Sequence, residues 1–358
     1  MRSPYEGLPA ERFWRTGVAE QSVETVSGLY RKRFPIDAKT RIATAGSCFA
    51  QHIARYLRQN GYQVLDHERL PQSVPADLAQ RYGYGLYSAR YGNLYTVRQL
   101  LQLTREALGK FKPRNAVWER DGRFFDALRP GVEPNGHASA ALVARHREQH
   151  LQKVRKVLAE ADLFVFTLGL TEAWIDAKSG TTFPTAPGTI AGSHDPRVFA
   201  FKNFTVGEIV ADFLAFRQAI RSVNRSVRFL LTVSPVPLTA TATESHVLAA
   251  TTYSKSVLRA AAGELYAACE DIDYFPSYEI IATPFSGARF YEPNLRSVAA
   301  DGVDAVMRVF FAEHPPTGAP QPAATTGAAT GGRRERRAGR SSEDDAVCEE
   351  ILLEGFSR

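Results

Sequence analysis

The sequence predicts an α/β fold, a three-layer, doubly wound parallel sheet, and three observations predict it. Two short runs, 163–168 (LFVFTL) and 228–233 (RFLLTV), are apolar nearly throughout, as strands buried on both faces are. Segments of helical period separate them. The stretch 41–65 reads strand, tight turn, helix, strand, which is the opening of a βαβ unit. With 358 residues, 44% of them hydrophobic, the chain can bury a sizeable core as two average domains or as one large domain with insertions.

Taken in order, residues 1–40 are irregular and aromatic and read as an arm packed on the domain. Residues 41–45 (RIATA) form a buried strand that runs into Gly46-Ser47-Cys48. The helix after this turn carries Phe49, Ile53 and Leu57 at helical spacing and stops at Asn60-Gly61, a C-cap pair, after which 62–65 begins a second strand. Helices are expected at 97–108, 139–160, 206–222, 245–270 and 301–311, and a last short strand at 273–275. Residues 180–203, rich in Pro, Gly and Thr, read as a long loop around His194-Asp195-Pro196. The domain therefore spans 41–314. Residues 315–358 turn to Pro, Ala, Thr and Gly, then to an Arg-rich run at 333–337, and read as a disordered tail. The acidic, apolar end at 349–356 also fits a short helix acting as a docking peptide.

Composition narrows the function. The formal charge of +6 is spread along the chain, which fits a solvated basic surface and no nucleic-acid partner. No apolar stretch is long enough for a membrane span, and no secretory leader is visible. Cys48, Cys269 and Cys348 lie far apart without metal-ligand spacing, and one would be left over in any disulfide scheme. Reduced thiols in a cytoplasmic location follow, with no metal and no cofactor expected. Phosphate-loop and dinucleotide fingerprints are absent: Tyr82-Gly83-Tyr84-Gly85 lacks the strand and helix such a motif needs.

The chemistry gathers at the turn. A helix N-terminus presents backbone N–H groups and a partial positive charge, which lower a thiol pKa and can hold an oxyanion. Gly46 permits the turn, and Ser47 and Cys48 are both placed to act as nucleophile. The same residues also fit a plain turn with Cys48 as a small buried side chain. Any site here requires the pair to be reachable from solvent.

The string Gly46-Ser47-Cys48-Phe49-Ala50, with Tyr91-Gly92-Asn93-Leu94-Tyr95-Thr96, Leu168-Gly169-Leu170-Thr171-Glu172-Ala173-Trp174, Val233-Ser234-Pro235, Ser254-Lys255 and Tyr274-Phe275-Pro276-Ser277, resembles the GSCFA family of bacterial SGNH/GDSL-hydrolase-like proteins. The resemblance implies an SGNH-hydrolase-like sheet and a Gly-Asp-Ser-type block at the turn, which places Cys48 at the nucleophile position. It implies oxyanion or pocket roles for Gly46, Gly92, Asn93 and Gly169, with Thr171 or Glu172 in place of the third-block Asn. The last block, Asp-x-x-His, is replaced by Asn294-Leu295-Arg296-Ser297, so a base must come from elsewhere. His246, opening the helix at 245–270, is the candidate; His52 and His194 are weaker ones, and each also fits a surface or capping role. Arg296 suits a carboxylate or phosphate, and Trp174 a sugar ring. The expected function is an esterase or acyltransferase acting on an O-acyl group of a small-molecule or glycan substrate. The alternative is a binding module that has kept the pocket without the base.

Overall fold

A computed structural model of the chain describes residues 3–24, 26–70, 73–316 and 348–357. Strand β1 (Ile42–Gly46) leads through Ser47-Cys48 into helix α1 (Phe49–Gln59). Then come α2 (Ala76–Arg81), α3 (Val97–Ala107), the hairpin β2 (Val117–Arg120) and β3 (Arg123–Asp126), and α4 (Ala140–Glu160). Strand β4 (Leu163–Leu168) is followed by β5 (Glu172–Asp176), β6 (Thr182–Phe183), β7 (Phe199–Asn203) and α5 (Val206–Arg221). The chain continues with β8 (Arg228–Val233), α6 (Val247–Ala268), β9 (Ile272–Tyr274), α7 (Ser277–Ala282) and α8 (Ala300–Glu313).

The central sheet is parallel, in the order β1-β4-β8-β9. Its alternation assigns the two helical layers. Phe164 and Phe166 of β4 pack with Phe213 and Phe216 of α5, while Leu163 and Val165 pack with Ile53 of α1 and Phe310 of α8. Register pairs Gly46 with Thr167 and Leu168 with Val233, so β1, β4 and β8 end level and their loops open on one edge. That edge is where a doubly wound sheet places its site.

Two local readings differ from the structure, and one hairpin was not read at all. The second strand expected at 62–65 is a single parallel bridge between Val64 and Ile42. The stretch read as one loop at 180–203 contributes β6 and β7, which flank β5 in a small antiparallel sheet. The hairpin β2–β3 turns on Asp121-Gly122, both at positive φ (52° and 71°), the backbone of a two-residue hairpin turn. The N-terminal arm buries Val23, Tyr30, Phe34 and Ile36 against the α8 side of the core. The Arg-rich run at 333–337 lies outside the described residues, whereas 349–356 form a 3-10 helix. Among the described residues, no helix is long and apolar enough to cross a membrane.

A buried ion network ties the hairpin to the helices beside it. Asp126 accepts from Arg129 Nε at 2.8 Å and from Arg147 Nη1 at 3.3 Å, and Arg147 Nε donates to Glu106 at 3.0 Å. Burial opposes the Asp126 charge, but Arg147 and Arg129 outweigh it and hold the carboxyl at about 2. A depressed carboxyl contributes stability that is present above its ordinary 3.8 and is lost as pH falls toward about 2. Asp126→Ala leaves two buried guanidinium groups short of a partner and is expected to cost about 3–5 kcal/mol at neutral pH. Urea unfolding at neutral pH measures it, and the difference from the parent should shrink on acidification; equal stability of the two proteins at neutral pH would contradict the assignment.

Candidate functional site

The turn forms as its sequence requires. Gly46 has φ +139°, and a Cβ there would lie 2.5 Å from the Thr167 carbonyl oxygen, so only glycine lets β1 sit against β4 at this point. Ser47 N–H donates to that same carbonyl at 3.2 Å. Cys48 then occupies the N-cap position of α1.

Both candidate nucleophiles are buried, Ser47 at 2% exposure and Cys48 at 6%, so the requirement of solvent access is not met as expected. The reason differs between them. Gly169 packs against the Ser47 side chain so closely that a Cβ on Gly169 would lie 2.9 Å from Ser47 Cβ. The Ser47 hydroxyl has no hydrogen-bond partner among the described residues. Beside Cys48 lies the chain's own C-terminal segment, whose Cys348 thiol is hydrogen-bonded to Cys48. Ser47 is thus enclosed by the domain itself, while Cys48 meets a separate piece of chain.

Next to this pair the structure builds a seat for a carboxylate. Asn93 Nδ2 donates to Glu349 Oε2, and Tyr95 OH donates to the same oxygen at 3.1 Å. The amide is oriented from behind: its Oδ1 accepts from Gln51 Nε2 at 3.1 Å and from Tyr87 OH, leaving the NH₂ to face the seat. Tyr87 OH is also 3.0 Å from the Ser47 carbonyl, which links the seat to the turn. Gly131 and Gly92 border the other carboxylate oxygen; Cβ atoms there would stand 2.7 Å and 3.7 Å from Glu349 Oε1. Desolvation raises the Glu349 carboxyl to about 6, against the hydrogen bonds that favour its charge.

The remaining expected residues divide. Arg296 reaches the centre: its Nη2 donates to Cys348 Sγ at 3.6 Å, and Tyr95 OH lies 3.8 Å from that sulfur. The hydrogen bond from Cys48 lowers the Cys348 thiol most, and with Arg296 it overcomes burial to hold the pKa at about 5. Gly169 does not offer its N–H to a ligand, because it donates to the Tyr95 carbonyl at 3.1 Å. Thr171 is committed as well, its N–H and its hydroxyl each 3.1 Å from Ser254 Oγ. Glu172 accepts from Thr241 Oγ1 at 2.7 Å, and with Trp174 it lines a cleft of about 240 Å³ whose other walls include Leu170, Phe183, Leu238 and Leu353.

The histidines do not form a base beside the turn in the expected way. His246 is exposed and caps α6, with Nδ1 accepting from Leu248 N–H at 3.2 Å. His194 is exposed and sits edge-on to Trp174, ring centroids 4.8 Å apart. His52 is buried on α1, with Nδ1 2.8 Å from Arg55 Nη2 and its ring against Phe49. Glu133, His137 and His146 bring three donor atoms within 4.8 Å of one another, but Glu133 is already ion-paired to Arg90 at 2.8 Å.

Sequence reasoning missed Tyr95, Tyr87, Gln51, Lys255, Cys348 and Glu349 as site residues. Lys255 is fully buried, and its Nζ donates to the Gly169 carbonyl at 2.7 Å, clamping the end of β4. A lysine beside an apolar helical stripe was a signal that could have been read, because an enclosed ammonium needs an acceptor. The run at 349–356 was read as a short docking helix, but nothing local points from Glu349 to Asn93, which it reaches across 256 positions of sequence.

In comparison with known proteins, the model of the GSCFA family matches residues 41–310. No curated protein and no solved structure matches the chain.

Proposed function

The chain belongs to the GSCFA family, and from that premise we propose that it is a thiol-dependent esterase or acyltransferase of SGNH-like type, with Cys48 as nucleophile. The single observation that supports this reading is the carboxylate held by Asn93 and Tyr95 beside Cys48. With the C-terminal segment and its Glu349 off the seat, an ester carbonyl there has its oxygen on the same two donors. Attack by Cys48 Sγ forms the C–S bond and moves the carbonyl electrons onto that oxygen, where Asn93 Nδ2 and Tyr95 OH stabilise them. Collapse breaks the ester C–O bond, and the leaving alkoxide takes a proton from solvent. Water, or an acceptor hydroxyl, then cleaves the thioester and restores the thiol.

A cysteine suits a site without the Asp-x-x-His block. Its thiolate forms far more readily than an alkoxide, and the N-terminus of α1 favours the anion. The cleft beside the seat fits an O-acyl substrate: Leu170, Phe183 and Leu238 suit an apolar group, and the Trp174 face suits a sugar ring. Reduced thiols fit a cytoplasmic location. Arg296 also favours the binding-module reading, since a guanidinium in a block that has lost its base grips an anionic ligand without turning it over.

Acyl-enzyme trapping separates the two. The protein is mixed under reducing conditions with p-nitrophenyl acetate, quenched in acid and mapped by mass spectrometry. The expected result is one acetyl group on Cys48, retained in Cys348→Ser and lost in Cys48→Ala. Acetylation confined to lysines, to Ser47 or to Cys348 would overturn the assignment of the nucleophile.

A further inference from the structure

We propose that Cys48 and Cys348 are a disulfide-forming pair, through which oxidation by a hydroperoxide bonds the chain's own C-terminal segment to the turn at the head of α1. The Cys348 thiol interacts with Cys48 across 300 positions of sequence, Tyr95 OH and Arg296 Nη2 lie 3.8 Å and 3.6 Å from its sulfur, and none of the three cysteines is in a disulfide. What brings them together is the seat of Glu349, the residue next to Cys348. Its carboxylate is held by Asn93 and Tyr95, lies against the bare Cα of Gly131, and is followed by Leu353 in the wall of the apolar cleft. Polar anchor, glycine cradle and apolar anchor together specify one position for the segment.

The chemistry is that of a reactive thiol with a resolving partner. Cys348 has Arg296 and Tyr95 around its sulfur, and these contacts together with that to Cys48 shift its thiol toward the anion. The thiolate attacks the distal oxygen of the hydroperoxide; the S–O bond forms, the O–O bond breaks, and an alcohol or water leaves after taking up a proton. Cys48 then attacks the sulfenyl sulfur, the S–S bond forms, and the hydroxyl leaves as water with the Cys48 proton. Two thiols are oxidised and one peroxide is reduced. The proposal does not rest on the hydrolytic reading, because forming this bond needs no ester substrate.

The test uses the full chain and hydrogen peroxide. Treatment should lower the thiol count from three to one, leave Cys269 alkylatable, and yield a Cys48–Cys348 cross-linked peptide with the mass loss of two hydrogens, reversed by dithiothreitol. Cys269→Ser should form the same cross-link, and Cys348→Ser should form none. Glu349→Ala and Gly131→Ala disturb the seat without touching either sulfur and should slow cross-linking about tenfold, by lowering the local concentration of Cys348 at the turn. A cross-link between molecules only, one that involves Cys269, or a rate unchanged in both seat variants would overturn the proposal. Since the readout is a thiol count and a peptide mass, failure of ester hydrolysis would leave the result intact, and the reverse holds equally.

Discussion

A Cys48→Ala protein is expected to fold as the parent does and to lose ester hydrolysis by about a thousandfold or more. The change is small in volume and keeps the backbone of the α1 N-cap, where the Cys48 side chain makes no capping hydrogen bond. What disappears is the sulfur next to the Asn93–Tyr95 seat. Ser47 cannot replace it, since its side chain is packed against Gly169. Cys48→Ser should fall nearly as far, because a hydroxyl needs a base to ionise and Arg296 supplies none. His246→Ala should leave turnover unchanged, because the imidazole's contact is with the α6 backbone, and should cost about 1 kcal/mol as a lost cap. Steady-state hydrolysis of an activated ester, with circular dichroism to confirm folding, measures all three. Full activity in Cys48→Ala would end the thiol mechanism.

The second large effect is structural. Gly46→Ala is expected to destabilise the protein by about 3–5 kcal/mol, which lowers Tm by roughly 4–8 °C. Two costs add. An alanine at φ +139° is strained, and its Cβ would stand 2.5 Å from the Thr167 oxygen and 2.7 Å from the Thr167 nitrogen, both backbone atoms of β4 that cannot rotate aside. Gly61 is the internal control. It also has positive φ, +81°, but nothing within 4 Å of an added Cβ, so Gly61→Ala should cost only about 1 kcal/mol. Thermal melts of the two variants compare them. Equal losses would mean that the approach of β4 to Gly46 is not the constraint inferred.

Much of the fold was legible because its strands are simple. The runs at 163–168 and 228–233 coincide with β4 and β8, as both are covered by helices on each face and have no solvent side to interrupt the pattern. The short antiparallel strands were hidden: β6 has two residues, and β7 mixes Phe199 and Phe201 with Lys202 and Asn203 in a loop-like context. The hairpin signal was present in Asp121-Gly122 and went unread. At the site, the turn and Asn93 were legible from local motif, and Arg296 was placed by the block it interrupts. Tyr95 was quoted as part of a motif without a role, because its hydroxyl acquires one only when a distant segment meets it. The C-terminal run 349–356 was legible as a candidate short helix, but the place where it docks was not. Its position is set by a single carboxylate and a leucine, and such anchors leave no pattern along the chain.

The Glu349 seat has a consequence for anyone measuring affinity. A ligand that seeks the Asn93 amide meets a competitor carried by the same molecule, and diluting the protein does not dilute the competitor. Apparent dissociation constants are therefore raised by the inverse of the fraction of time the seat stands vacant, whatever the protein concentration. Weak binding of a true substrate by the full chain would report that occupancy as much as the intrinsic fit.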